Sequence, residues 1–106
     1  MKPTLKIEYL DNYDTDWYKI ASKPTDNACF DLRACFKEPF IMLTPGERML
    51  IPLGIKTSFP ADYELQIRAR SGLALKRGLS LVNGIGTVDS SYRGALGAIV
   101  INLGED

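Results

Sequence analysis

Histidine is absent from the 106 residues, and its absence removes Ser-His-Asp and Cys-His triads, histidine-ligated zinc and histidine as a general base. A carboxylate is then the best remaining base near neutral pH. Cysteine is nearly absent too: Cys29 and Cys35 lie in an apolar-rich stretch without a CxxC spacing, so buried reduced thiols are expected rather than a metal site. Long apolar runs are missing, and no stretch approaches the length needed to cross a bilayer. The N-terminus, Met1-Lys2-Pro3-Thr4-Leu5-Lys6-Ile7-Glu8, has no apolar signal core, so a soluble, intracellular protein that stays in the compartment where it is made is expected. Net charge is missing as well. Thirteen basic residues cancel thirteen acidic ones, so no long-range field pulls the chain onto nucleic acid or an anionic membrane, and any bound anion must be held by a local cluster.

What is present reads as short strands between turns. Leu5-Lys6-Ile7-Glu8-Tyr9 and Glu64-Leu65-Gln66-Ile67-Arg68-Ala69-Arg70 alternate apolar and polar residues, the period of a strand with one buried face. The stretches 49–59 and 98–103 are nearly continuous in apolar residues, broken at Pro52 and Gly54, and are expected as strands buried on both faces. Thr44-Pro45-Gly46 and Phe59-Pro60-Ala61-Asp62 place proline and glycine where tight turns need them. This pattern predicts an all-β sandwich or barrel. At this length a single domain, 1–106, with little core to spare is expected, and association between subunits would help it. The polar segment 11–26 is expected to be pinned to the body by Trp17 and Tyr18. One short helix is predicted over Ser71 to Arg77, with Ser71 as N-cap, Lys76 and Arg77 in the last turn and Gly78 as the stop.

Three places concentrate chemistry. In Arg70-Ser71-Gly72 a strand hands over to a helix start, where a guanidinium, a hydroxyl and a free N–H can meet phosphate oxygens; taken alone, an ordinary cap beside a solvated charge is the preferred reading, because serine is common at N-caps. Asn83-Gly84 between apolar runs is a β-hairpin signal, and the bare backbone around Gly84 and Gly86 suits a planar ligand read by main-chain groups; a plain hairpin is the alternative. Asp89-Ser90-Ser91-Tyr92-Arg93-Gly94 offers a carboxylate to orient and deprotonate water and a ring to floor a sugar; a turn with Tyr92 in the core is the blander reading.

In order and spacing these segments resemble one family. Arg70-Ser71-Gly72-Leu73-Ala74 and Gly86-Thr87-Val88-Asp89-Ser90-Ser91-Tyr92-Arg93-Gly94 are similar to the second and third motifs of the trimeric deoxyuridine triphosphatases, and Asn27-Ala28-Cys29-Phe30-Asp31-Leu32-Arg33-Ala34 is similar to the first. With Thr44-Pro45-Gly46 and Val100-Ile101-Asn102-Leu103-Gly104, the likeness extends from residue 25 onward. Cys29, Phe30, Ala69 and Ser91 depart from the usual glycine, tyrosine, proline and second aspartate, and Ser91 leaves Asp89 without a nearby acidic neighbour.

The resemblance implies a jelly-roll-like β-fold, a homotrimer whose pockets draw on more than one subunit, and hydrolysis of dUTP to dUMP and pyrophosphate. That activity keeps uracil out of DNA and supplies dUMP for thymidylate synthesis. Asp89 would be catalytic; Arg70, Ser71, Gly72, Asn83, Gly86, Thr87, Val88, Tyr92 and Gly97 would bind substrate; Asp31 would hold Mg2+ through water. The chain ends at Glu105-Asp106 where the family continues through an Arg-Ile-Ala-Gln motif and a glycine-rich arm, so a piece of a longer enzyme is expected. The alternatives are the fold-sharing deoxycytidine triphosphate deaminases, which need a glutamate that residues 71–104 lack, and a non-catalytic trimeric nucleotide-binding or regulatory protein.

Overall fold

Alternation along Leu5 to Tyr9 yields the first strand of the computed structural model, which describes residues 3–10 and 28–106. β1 (Lys6–Tyr9) pairs antiparallel with β3 (Ile55–Ser58), Lys6 opposite Ser58 and Tyr9 opposite Ile55. β2 (Arg48–Pro52), β7 (Gly97–Asn102) and β5 (Leu79–Leu81) form a second antiparallel sheet with β7 in the centre. β4 (Glu64–Ile67) and β6 (Gly86–Asp89) form a third. The expected all-β fold with one short helix is what is found, although the sheets do not close into a barrel among the described residues. Asn27, Trp17, Tyr18 and the segment 11–26 lie outside the described residues.

Side chains, not ladder hydrogen bonds, join the sheets. Ile55, Ile67, Leu81, Val88 and Ala98, one from each of β3 to β7, pack with Leu53 and Leu96 into one core, flanked by Ile7, Leu32, Leu65 and Val100. All three sheets therefore share one apolar interior, which is the dominant favourable term in such a fold. Both predicted turns form. Glu47 N–H donates to Thr44 O at 2.9 Å around Gly46 at φ 83, a conformation that favours glycine after proline. Tyr63 N–H donates to Pro60 O at 3.1 Å.

Four expectations need correction. The Asn83-Gly84 turn forms, with Gly84 at φ 73 and its N–H donating to Leu81 O at 3.0 Å, but it is no hairpin: β5 leaves to pair with β7, whereas β6 pairs with β4. The apolar strands are not buried on both faces among the described residues; Leu50 is 66% exposed, and Ile99 and Leu103 are exposed as well, because no described layer covers that side of β2 and β7. The helix α1 (Ser71–Arg77) is capped at Arg70, whose backbone is extended and whose side chain makes no capping bond, so Ser71 is its first residue rather than its cap. Cys35 is buried but Cys29 is exposed, and neither forms a disulfide. The other end of α1 is as expected: Gly78 takes a left-handed φ of 70 and Lys76 and Arg77 occupy the last turn, where cations oppose the carbonyl end of the helix dipole.

Candidate functional site

The bend after β5 and the small residues before β7 leave a concavity of about 620 Å³, a volume typical of ligand sites. Seven residues singled out from the sequence line it: Asn83, Gly86, Thr87, Val88, Asp89, Tyr92 and Gly97. Alternation aims them. Val88 is buried in the core, so Thr87 and Asp89 on either side of it are exposed, as period-two geometry requires. Gly86 lies opposite Ile67, and a Cβ added there would sit 3.6 Å from the Asn83 amide nitrogen, so the Asn83 side chain folds over the start of β6. In the two-stranded β4–β6 sheet, alternate main-chain N–H and C=O groups of β6 point away from β4. Among the described residues they give the concavity a free strand edge that a planar ligand with complementary donors and acceptors can pair with.

Asp89 stands directly opposite Glu64 in the register of β6 and β4, so the two carboxylates share the solvent face of the pair. Glu64 is engaged along its own strand: its Oε2 accepts from Gln66 Nε2 at 3.0 Å, and Gln66 Oε1 accepts from Arg68 Nη2 at 2.8 Å. The Ser91 departure therefore does not leave Asp89 without an acidic neighbour, because one arrives from β4. Beyond Asp89 the chain turns, with Tyr92 N–H donating to Asp89 O at 3.0 Å. Tyr92 is not in the core; it is 47% exposed and its hydroxyl donates to Ala95 O at 3.0 Å.

Arg70, Ser71, Gly72 and Asp31 do not line this concavity. They form a second group. Arg70 Nε lies 3.9 Å from Asp31 Oδ1, with the two side chains 66% and 68% exposed, a pair that water screens and that contributes little to stability. Both stay available to ligands. Leu32 packs against the core and Cys35 N–H donates to Pro52 O at 2.8 Å, which fixes the segment that carries Asp31. Among the described residues no group of three or more acidic, cysteine or histidine side chains converges on a point that could cage a metal.

The walls contributed by Leu50, Pro52, Leu96 and Ala98 were not singled out from the sequence. A signal for them exists in Gly97, which stands opposite Pro52 in the register of β2 and β7 and lets Leu50 lie against its backbone; a Cβ there would lie 2.7 Å from Leu50 Cδ1. Nor was Glu64, because cross-strand register is invisible in a linear pattern. No helix among the described residues is long and apolar enough to cross a membrane.

Comparison with known proteins bears on the family and the fold. A family model described as dUTPase matches residues 15–106. The chain is 45% identical over 102 residues to a deoxyuridine 5'-triphosphate nucleotidohydrolase of Roseobacter denitrificans, covering 96% of this chain and 67% of the relative. It is 57% identical over 75 residues to the protein of that name from Chlamydia pneumoniae, covering 71% of this chain and 51% of the relative. The chain thus spans between about half and two thirds of the length of these curated relatives. Among solved structures it is similar to a mutant dUTPase of Staphylococcus bacteriophage 80alpha with dUpNHpp, at a TM-score of 0.75 and 25% identity, covering 97% of this chain and 56% of that one. It also shares the fold of a mutant dUTPase from phage phi11 of S. aureus that coordinates a structural Mg(II) ion, at a TM-score of 0.75 and 23% identity, covering 95% of this chain and 61% of that one.

Proposed function

The chain belongs to the dUTPase family, and on that premise we propose that it hydrolyses dUTP to dUMP and pyrophosphate. The observation that carries this reading is the gathering of Asn83, Gly86, Thr87, Val88, Asp89, Tyr92 and Gly97 around one concavity bordered by the free edge of β6. Uracil presents acceptor, donor, acceptor along one edge, which a strand edge offering N–H, C=O, N–H can satisfy. Cytosine would leave buried groups unpaired there, a defect that discriminates strongly. Tyr92 floors the sugar, and Gly97, lacking a side chain, lets Leu50 lie against the backbone as a wall of the concavity that the nucleoside would meet.

Arg70, Ser71 and Gly72 bind the triphosphate, with the guanidinium exchanging its weak pairing to Asp31 for phosphate oxygens. The exposed Asp31 carboxylate and the absence of a caging cluster among the described residues fit Mg2+, which keeps its waters and takes few carboxylates. Asp31 would hold that ion through water, and the ion when bound neutralises charge on the phosphates. Asp89 orients a water toward the α-phosphorus and takes its proton, and rate enhancement comes from positioning and from charge stabilisation. Pyrophosphate release from dUTP by the natural protein, with dCTP and dTTP turned over at least about a hundredfold more slowly, is the expected result. Equal turnover of the three, or none of dUTP, would overturn the proposal.

Arg70, Ser71, Gly72 and Asp31 do not line the concavity, and Leu50, Ile99 and Leu103 are exposed apolar side chains, the first two on the concavity's own wall. Both features support a homotrimer in which the concavity of one subunit meets the Arg70 group of the next. Light scattering is expected to give three subunits. Mixing inactive Arg70→Ala and Asp89→Asn proteins, dissociated and reassembled together, is expected to restore part of the activity. A fully active monomer sinks the trimer, and lack of complementation sinks the shared site.

A further inference from the structure

Gly94 has no conformational reason to be glycine. Positive φ occurs among the described residues at Gly46, Gly54, Gly78 and Gly84, so the backbone at Gly94 accepts any ordinary residue. What it does not accept is a side chain beside Tyr92. A Cβ on Gly94 would lie 2.5 Å from the Tyr92 hydroxyl oxygen, 2.7 Å from Cζ and 3.1 Å from Cε1, well inside the ~3.5 to 4.0 Å of ordinary carbon contacts. The ring lies across Gly94 because its hydroxyl reaches forward to donate to Ala95 O at 3.0 Å. Its backbone is held as well, by the Tyr92 N–H to Asp89 O bond of 3.0 Å and by the Arg93 guanidinium donating to the carbonyls of Ser90 and Tyr92. Tyr92 and Ala95 line the concavity, whereas Gly94 does not.

We infer that Gly94 is a positioning residue that sets sugar specificity, since its missing side chain is what allows the Tyr92 ring to lie where a ribose 2′-hydroxyl would have to fit. This rests on the functional reading above, in which Tyr92 floors the sugar. The atoms that would have to yield to a methyl group at Gly94 belong to the end of a half-exposed side chain, not to backbone. Alanine there therefore moves the ring and leaves the fold. A displaced ring opens the sugar floor, and steric refusal of a hydroxyl is lost over small displacements because repulsion is steep.

In the natural protein, Gly94→Ala is expected to lower the ratio of kcat/KM for dUTP over UTP by about tenfold or more, a large share of what shape alone gives against an added hydroxyl. The melting temperature should stay within a few degrees of wild type. Tyr92→Phe removes the atom nearest the new methyl group, so the change in the ratio caused by Gly94→Ala should be smaller in the Tyr92→Phe background than in wild type, a coupling expected of residues in contact. An unchanged ratio in Gly94→Ala overturns the inference, as does an equal fall for both nucleotides, which is what a purely structural glycine would give. A wild-type protein that does not prefer dUTP to UTP overturns the functional reading itself, an outcome distinct from a wild-type preference that survives the substitution.

Discussion

Asp89→Asn is expected to lower dUTP turnover by roughly 100- to 10,000-fold, the usual cost of losing a general base, while a non-hydrolysable dUTP analogue binds within a few-fold of wild type. The substitution keeps the shape and most hydrogen-bonding capacity of the side chain and removes its ability to accept a proton. None of these 106 residues is a histidine that could take over. Asp31 belongs to the separate group with Arg70, and Glu64, although opposite Asp89 in the strand register, already accepts a hydrogen bond from Gln66. Pyrophosphate release gives the rate, and titration with the analogue gives the affinity. Glu64→Gln serves as the comparison and should cost less than about tenfold, since Glu64 borders the base without replacing it. Near-normal turnover in Asp89→Asn refutes the role. Loss of analogue binding in the same variant would make Asp89 a residue of the 89–92 turn, whose main-chain bond to Tyr92 N–H it already supplies.

The placement of Asp89 was legible in the sequence because it depends on local periodicity. A buried Val88 with exposed neighbours follows from a period of two, as does the outward aim of Arg68 and Arg70 after the buried Ile67. The turns at Gly46 and Tyr63 were legible for a similar reason, since proline and glycine restrict φ within a few residues. Pairing was not. Asn83-Gly84 specifies that the chain reverses, and Gly84 at φ 73 reverses it, yet nothing within the turn says that β5 must join β7 and β6 must join β4. That choice is made by the core, where Leu81, Val88, Ile67 and Ala98 pack together from strands distant in sequence.

Apolarity does not by itself imply cover. Leu50 and Ile99 are as hydrophobic as Ile55, but of the three only Ile55 is covered by the described residues. Sequence records how costly exposure of a side chain is and not what arrives to prevent it. The cap of α1 falls one residue before the expected Ser71 for a smaller reason: Ser71 favours a cap by propensity, but the chain enters the helix with Arg70 still extended, so Ser71 enters the first turn.

Asn102→Ala is expected to cost about 2 to 4 kcal/mol of stability, the range for stripping partners from buried polar groups. Nothing in an apolar run marks this residue as exceptional, yet its side chain is buried and fully used. The amide nitrogen donates to Leu43 O at 2.8 Å and to Asp106 O at 3.1 Å, and the amide oxygen accepts from Gly104 N–H at 2.9 Å. Its backbone is engaged too, with Gly46 N–H donating to Asn102 O at 2.7 Å and Asn102 N–H to Glu47 O at 3.1 Å. Alanine leaves two carbonyls and one N–H without partners, of which the exposed Asp106 end can recover water; this keeps the cost below the sum of three full desolvation penalties. The damage should reach the Arg70, Ser71 and Gly72 group, the proposed phosphate site. Gly104 packs so closely on Gly78 that a Cβ on Gly78 would lie 2.7 Å from Gly104 Cα, and Leu103 N–H donates to Gly78 O at 2.7 Å. Because α1 buries none of its own side chains, this backbone seat is a main attachment of the helix that begins at Ser71. Denaturant unfolding measures the stability, and amide exchange at Gly78, whose N–H donates to Ala74 O at 3.1 Å, reports on the seat. Asn102→Asp should be at least as damaging near neutral pH, since it keeps the acceptor for Gly104 but sets a carboxylate oxygen against the two carbonyls that now receive N–H bonds. If both variants unfold at the wild-type midpoint, or if only global stability falls while Gly78 exchange keeps pace with the core amides, Asn102 does not anchor the seat of the helix.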